Sequence, residues 1–343
     1  MKRLPALVIS LLLLFAAAMP LQAATYKLRY ADQNPESGTA AQNATVPWLR
    51  NIEKATNNEV EIEAYFGETL LKARDTWDSI RNGVADIGWM SIAYWPGRAP
   101  MSDAFGLPGL KYKTDAGLSG AMWKAYEKYP EMQQEYAKGG IRPLIFFCTE
   151  PYSLFTTKKQ VKTLEDLKGL KVRALGGAPT TQMKALGAVP LSIPMPDNYI
   201  SLQKGVIDGL GAPAEAVVNW RFFEVLRYCT EGPMPVAYHM MGIGEKQWQK
   251  MPAEVQAQIM TVCGFEGSQW YSERYFTNFI EVLPEVLEKN NKKIDFYTLP
   301  PEEEARWIKA SEAAFDEYYS YAEGKGVGPQ ARALVEDLMQ GNL

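Results

Sequence analysis

Short apolar runs of strand character alternate with helical stretches from Tyr26 to Thr230, and that alternation leaves few ways to build a core. The runs "YKLRYA", "VEIEAYF" and "ADIGWM" bracket helical patterns near Thr39 to Thr56 and Asp75 to Asn82. A second series, "IRPLIFF", "LKVRA", "AVPLSI" and "VLRYCT", brackets helical patterns near Pro179 to Leu186, Asn198 to Lys204 and Ala214 to Glu224. Strand, helix and strand in succession favour a mostly parallel sheet with helices on its faces. Two such series in 343 residues predict two α/β units.

A different pattern begins at Pro252, where apolar residues keep helical spacing as far as Leu287. A continuous helix there would extend roughly 54 Å at about 1.5 Å per residue, more than the ~30 Å of a small domain. It would run as a spine across both units, although Gly264, Gly267 and Pro284 interrupt the pattern. Two further helices are expected after the paired prolines at Pro300 and Pro301, the first opening on Glu302, Glu303 and Glu304.

The N-terminus sets Lys2 and Arg3 before the apolar "LPALVISLLLLFAAAM" and then "PLQAA", the pattern of a cleaved secretory leader ending near Ala23. That apolar run falls short of the ~20 residues that span a bilayer, and no later run reaches the length. No cysteine lies near the expected cleavage point, which speaks against a lipid-anchored form. An exported chain, free in the periplasm, is expected.

Lys2 and Arg3 leave with the leader, so 34 of the 36 basic residues face 40 acids and the mature chain carries −6. That balance opposes binding to nucleic acid or to an anionic membrane surface. Cys148, Cys229 and Cys263 are odd in number and widely spaced, and three buried thiols are expected.

Little in the chain supports catalysis. His239 is the only histidine, which removes triads with a spare imidazole and metal sites needing two; within "VAYHMMGIG" it reads as a packed strand residue. The glycines of "RALGGAP" fit no nucleotide-binding fingerprint, and "GFEGSQW" is not a nucleophile elbow. Neither a cofactor nor a metal is expected. Aromatic residues say more: "DIGWMSIAYWPGRAP" places Trp89, Tyr94 and Trp95 just after a predicted strand, where α/β folds build ligand crevices. Core packing accounts for Trp89 and Trp95 equally well.

Arg173 is the sharpest feature. It ends the apolar strand "LKVRA" with no acid nearby in sequence, and a buried guanidinium without a partner is costly. Two explanations stand: Asp208 or Glu215 folds back to pair with it, or a ligand anion does.

Three segments in order, "EDLKGLKVR", "ALGAVP" and "YISLQKGVIDG", resemble the solute-binding proteins of tripartite ATP-independent periplasmic (TRAP) transporters, the DctP-like family. The stretches "DTWDSIRNGVADIGWMSIAYWPGR", "FGLPGL" and "EKQWQKMPAEVQAQI" extend the resemblance over nearly all of the mature chain. It implies a two-lobed, type II-like periplasmic binding protein with crossing hinge strands, a long helix spanning both lobes and a ligand enclosed between them. Residues 24–147 with 237–272 would form the first lobe, and 148–236 with 273–343 the second. It also implies delivery to the membrane subunits of a permease, and it puts Arg173 at the family's carboxylate-binding arginine.

The chain departs from the sialic-acid-type members of that family. "DGLGAP" has Ala212 before Pro213 where those members carry Asn, "PYSLFTT" has Leu154 near their second arginine, and "IPMP" supplies Met195. These changes remove polar contacts and disfavour a hydroxyl-rich sugar acid. The expected ligand is an organic monocarboxylate with an apolar or aromatic body, its carboxylate on Arg173 and its body among Trp89, Ser91, Tyr94, Tyr152, Met195, Ala212 and Pro213. A monomeric binding protein rather than an enzyme is expected. The alternatives are an exported lyase or isomerase using Asp208 or Glu215 as base, and a binding protein that presents its ligand to a membrane sensor.

Overall fold

The computed structural model describes residues 25–276 and 279–343; the expected leader, residues 1–23, lies outside them. Eleven strands among the described residues make two sheets. The first contains β1 (Tyr26–Ala31), β2 (Val60–Tyr65), β3 (Ile87–Ser91), β4 (Ile141–Cys148) and β10 (Tyr238–Gly244), in the order β2-β1-β3-β10-β4. The second contains β5 (Ser153–Thr156), β6 (Lys171–Arg173), β7 (Val189–Leu191), β8 (Gly209–Ala212), β9 (Tyr228–Glu231) and β11 (Asp295–Thr298), in the order β11-β9-β5-β8-β6-β7.

Both sheets are mixed, where strand–helix alternation alone predicts mostly parallel ones. The antiparallel member is β10 in the first, against β3 and β4, and β5 in the second, against β8 and β9. Each is the first strand after one of two adjacent crossings between the sheets, and each runs against its neighbours. The crossings run side by side. Thr149 N donates to Ala237 O at 2.9 Å, Ala237 N to Thr149 Oγ1 at 2.9 Å, and Tyr152 N to Pro235 O at 3.1 Å.

Helix α1 (Asp115–Lys128) packs on β4 of the first sheet, and Thr114 caps its N-terminus. In the second lobe α2 (Ala178–Ala185) follows β6, and α3 (Ala214–Asn219) follows β8. The segment expected as one spine is three helices. It runs from Ala253 to Met260, then through α4 (Gly264–Tyr275) and α5 (Phe279–Lys289), and Gly264 at the first break takes φ +67°, which right-handed helix forbids. α4 lies against β4, where Phe146 N donates to Ser268 Oγ at 3.0 Å, while α5 packs on α3 of the second lobe.

The long helix that spans both lobes is instead α6 (Pro301–Gly324). Its first half sits on the second lobe: Trp307 is fully buried and Ser311 accepts from Gln182 of α2 at 2.9 Å. Its second half reaches the first lobe, where the Tyr318 hydroxyl donates to Pro100 O at 3.2 Å. α7 (Gly328–Gln340) then lies on the end of α1, with Asp337 Oδ2 2.6 Å from Lys128 Nζ. Cys148, Cys229 and Cys263 are buried free thiols.

Candidate functional site

Parallel strands of both sheets aim their C-terminal ends at one crevice, where α/β folds place ligands. Past β1 come Asp32, Gln33 and Asn34; β3 ends at Ser91 and leads to Tyr94; β6 ends at Arg173; β8 leads through Pro213 to Glu215 on α3. The antiparallel strands contribute from their starts, His239 on β10 and Tyr152 just before β5. All but Asp32 line a single cavity, together with Trp89, Thr149, Leu175, Met195, Trp220, Tyr275 and Phe276. The space in and in front of the lining, open solvent included, is about 350 Å³.

Arg173 is completely buried. Its Nε donates to Ile193 O at 3.0 Å and its Nη1 to Gly211 O at 3.4 Å, while Nη2 meets no protein acceptor among the described residues. Neither acid considered from sequence pairs with it. Asp208 accepts from Lys171 N at 2.9 Å and lies outside the cavity, and Glu215 accepts from Asn219 Nδ2 at 2.7 Å. The guanidinium is thus oriented by two neutral carbonyls and keeps a donor free, which an anion in the cavity would satisfy.

Its surroundings match that role. Ser91 Oγ and His239 Nδ1 are buried without partners among the described residues. The His239 ring lies 4.6 Å from Trp89 and 5.2 Å from Phe147, and burial with the Arg173 charge lowers its pKa to about 3, so the imidazole stays neutral. Burial raises the Tyr152 phenol pKa well above its ordinary value, and the Arg173 charge opposes that rise. At the mouth, Met195 N donates to Tyr94 Oη at 2.9 Å, and the Arg74 guanidinium, 5.6 Å from the Tyr94 ring, donates to Ser192 O at 3.1 Å.

A second set of polar groups comes from Gln33, Asn34 and Glu215. Glu215 is 5% exposed; burial, followed by the nearby charges of Glu150 and Asp32, lifts its carboxyl to about 8 against the lowering hydrogen bond from Asn219. Asp32 is lifted by burial to about 6, although the Tyr30 hydroxyl and both Asn34 nitrogens donate to it.

Of the residues proposed from sequence, Arg173, Trp89, Ser91, Tyr94, Tyr152, Met195 and Pro213 meet in this cavity. Ala212 does not: it is fully buried in β8 opposite Ser153. Leu154 is buried in the core, and Trp95 packs on Trp77 at 5.5 Å, so only Trp89 of that pair of tryptophans faces the crevice. His239, expected as packing, lines the cavity, and Gln33, Asn34, Thr149 and Glu215 make the lining more polar than the sequence suggests. One signal was available: the "ADQN" that closes β1 is a polar strand end, the place where the aromatic candidates after β3 were sought.

Comparison with known proteins agrees with this architecture. The profile of the DctP family, bacterial extracellular solute-binding protein family 7, matches residues 30–321. A solute-binding protein of Albidiferax ferrireducens is 25% identical over 294 residues, 82% of this chain and 85% of the relative. A TRAP solute-binding protein of Rhodoferax ferrireducens in complex with copurified benzoate superposes with TM-score 0.82 at 23% identity, covering 92% of this chain and 99% of the other. A TRAP periplasmic solute-binding protein of Bordetella bronchiseptica with bound (R)- and (S)-mandelate superposes with TM-score 0.81 at 26% identity over the same shares.

Proposed function

Because the chain belongs to the DctP family of bacterial extracellular solute-binding proteins, whose TRAP members work with membrane permeases, we propose that it captures a compact organic monocarboxylate between its lobes and delivers it to such a permease. The observation that carries the reading is Arg173: fully buried, oriented by two carbonyls, unpaired by any described acid, and open at Nη2 to the cavity. A carboxylate there gains charge-assisted hydrogen bonds of roughly 1.5 to 3 kcal/mol each.

The body of the ligand lies among Trp89, Tyr94, Tyr152, Met195 and Phe276. Burying an aromatic body of about 150 to 250 Å² contributes on the order of 4 to 6 kcal/mol before entropy losses. The benzoate and mandelate bound by the two superposed proteins are of this size and charge. The leader pattern over residues 1–23 supports export. The crossings at 149–152 and 232–237 serve as the hinge.

The test is a thermal-shift screen of organic acids on ligand-stripped protein, repeated with Arg173→Ala. Aromatic and branched monocarboxylates should raise the melting temperature of the parent and leave the variant unmoved. Equal shifts in both proteins would remove the role of Arg173.

A further inference from the structure

The cavity lining carries polar groups that the arginine does not explain. The Arg173 charge acts on Tyr152 and His239, Glu150 and Asp32 act on Glu215, and the Glu215 charge reaches Tyr152 as well. The Gln33 side chain is 6% exposed, lines the same cavity as Glu215 and leaves Oε1 without a partner among the described residues. A buried amide oxygen is costly to leave unpaired, and of the orphaned glutamine oxygens Gln33 Oε1 is the one in the cavity lining, where a ligand group would satisfy it. Glu215 has one oxygen taken by Asn219, and the acids beside it are Glu150, whose Oε1 accepts from Ala214 N at 2.9 Å, and Asp32, already holding three donors.

We propose that Gln33 and Glu215 form a second subsite, which reads a hydroxyl carried by the ligand at the end remote from its carboxylate. The inference rests on the carboxylate reading above and adds the ligand's other end. A hydroxyl is donor and acceptor at once: it donates to Gln33 Oε1 and accepts the proton of a neutral Glu215 carboxyl. Either orientation of the Gln33 amide offers it a partner. The neutral form of Glu215 is the one its surroundings favour at neutral pH, so a hydroxyl enters without a change of protonation. An ammonium would require Glu215 to give up its proton inside an enclosed site. Trp220, Tyr275 and Phe276 also line the cavity, and a ring bearing the hydroxyl packs among them.

The test measures, by calorimetry on ligand-stripped mature protein, the affinity ratio between acids that differ only in a ring hydroxyl. The series comprises benzoate and phenylacetate, their 3- and 4-hydroxy forms, and the 3- and 4-aminomethyl forms of benzoate. The parent should bind at least one hydroxylated acid tenfold or more tighter than its unsubstituted partner. Gln33→Leu and Glu215→Leu should bring that ratio to about one, whatever happens to absolute affinity. Glu215→Gln keeps a donor in place and should keep the preference; circular dichroism confirms that each variant folds. Ratios near one throughout the parent series, a preference unchanged in both leucine variants, tightest binding of the aminomethyl acids, or loss of preference in Glu215→Gln would each overturn the subsite alone. If no acid binds the parent, or if Arg173→Ala binds the acids as the parent does, the carboxylate reading falls and the subsite with it.

Discussion

A guanidinium held by the neutral carbonyls of Ile193 and Gly211 is paired with no described acid, and its fork geometry is fixed before any ligand arrives. Arg173→Lys preserves the charge and loses the planar fork, so affinity for a carboxylate should fall about tenfold or more by calorimetry, with folding intact. The buried acids make a separate prediction. Burial lifts Glu150 to about 7 and Glu215 to about 8 from the ordinary 4.5, so between about pH 4.5 and 8 the folded chain holds protons that the unfolded chain releases. Stability therefore falls as pH rises through that window. His239, lowered from 6.5 to about 3, acts the other way between those values, so the fall is clearest from about pH 6.5 to 8. The melting temperature should drop over that interval, and Glu215→Gln should flatten the drop. Arg173 was legible in sequence because a charge ending an apolar strand demands a partner. Gln33 and His239 were not, and Glu215 was read only as a possible partner of Arg173 or a base, since each has ordinary neighbours along the chain and acquires its place only when two sheets face each other.

Elements were legible where a single period persists. The alternation in β1 and β2 and the apolar runs of β3 and β4 were read with nearly their observed bounds. β8 was missed because "GLGA" has no β-branched residue and reads as a turn. The expected spine failed at Gly264, whose positive φ ends one helix and opens the next in a new direction. α6 carries the bridging role, and its anchor on the second lobe is Trp307, fully buried. Trp307→Ala should cost about 3 to 5 kcal/mol in denaturant unfolding. Closeness between lobes is set by Gly176, where an added Cβ would stand 2.7 Å from Ala93 O across the crevice. Gly176→Ala should hold the lobes apart and weaken ligand binding while leaving the unliganded melting temperature nearly unchanged.

At the scale of the whole molecule, few polar contacts cross the crevice: Arg74 to Ser192, Tyr94 to Met195, and Thr39 N to Asn219 Oδ1 at 2.8 Å. These form only when the lobes meet, so Arg74→Ala should speed ligand release more than it slows capture, read by stopped-flow fluorescence of the tryptophans around the site. Ligand should also shrink the radius of gyration in X-ray scattering, since closure and capture are one event. The two-lobed architecture was legible from the paired strand–helix series, but the mixed sheets were not, because no local pattern records where a chain crosses over. That crossing has a consequence for how the molecule is made. β10 lies between β3 and β4, so a ribosome that has delivered residues 1–237 has supplied both flanks of the first sheet and not the strand that joins them. The lobe begun first must wait with an open seam until the chain has passed through the other and come back.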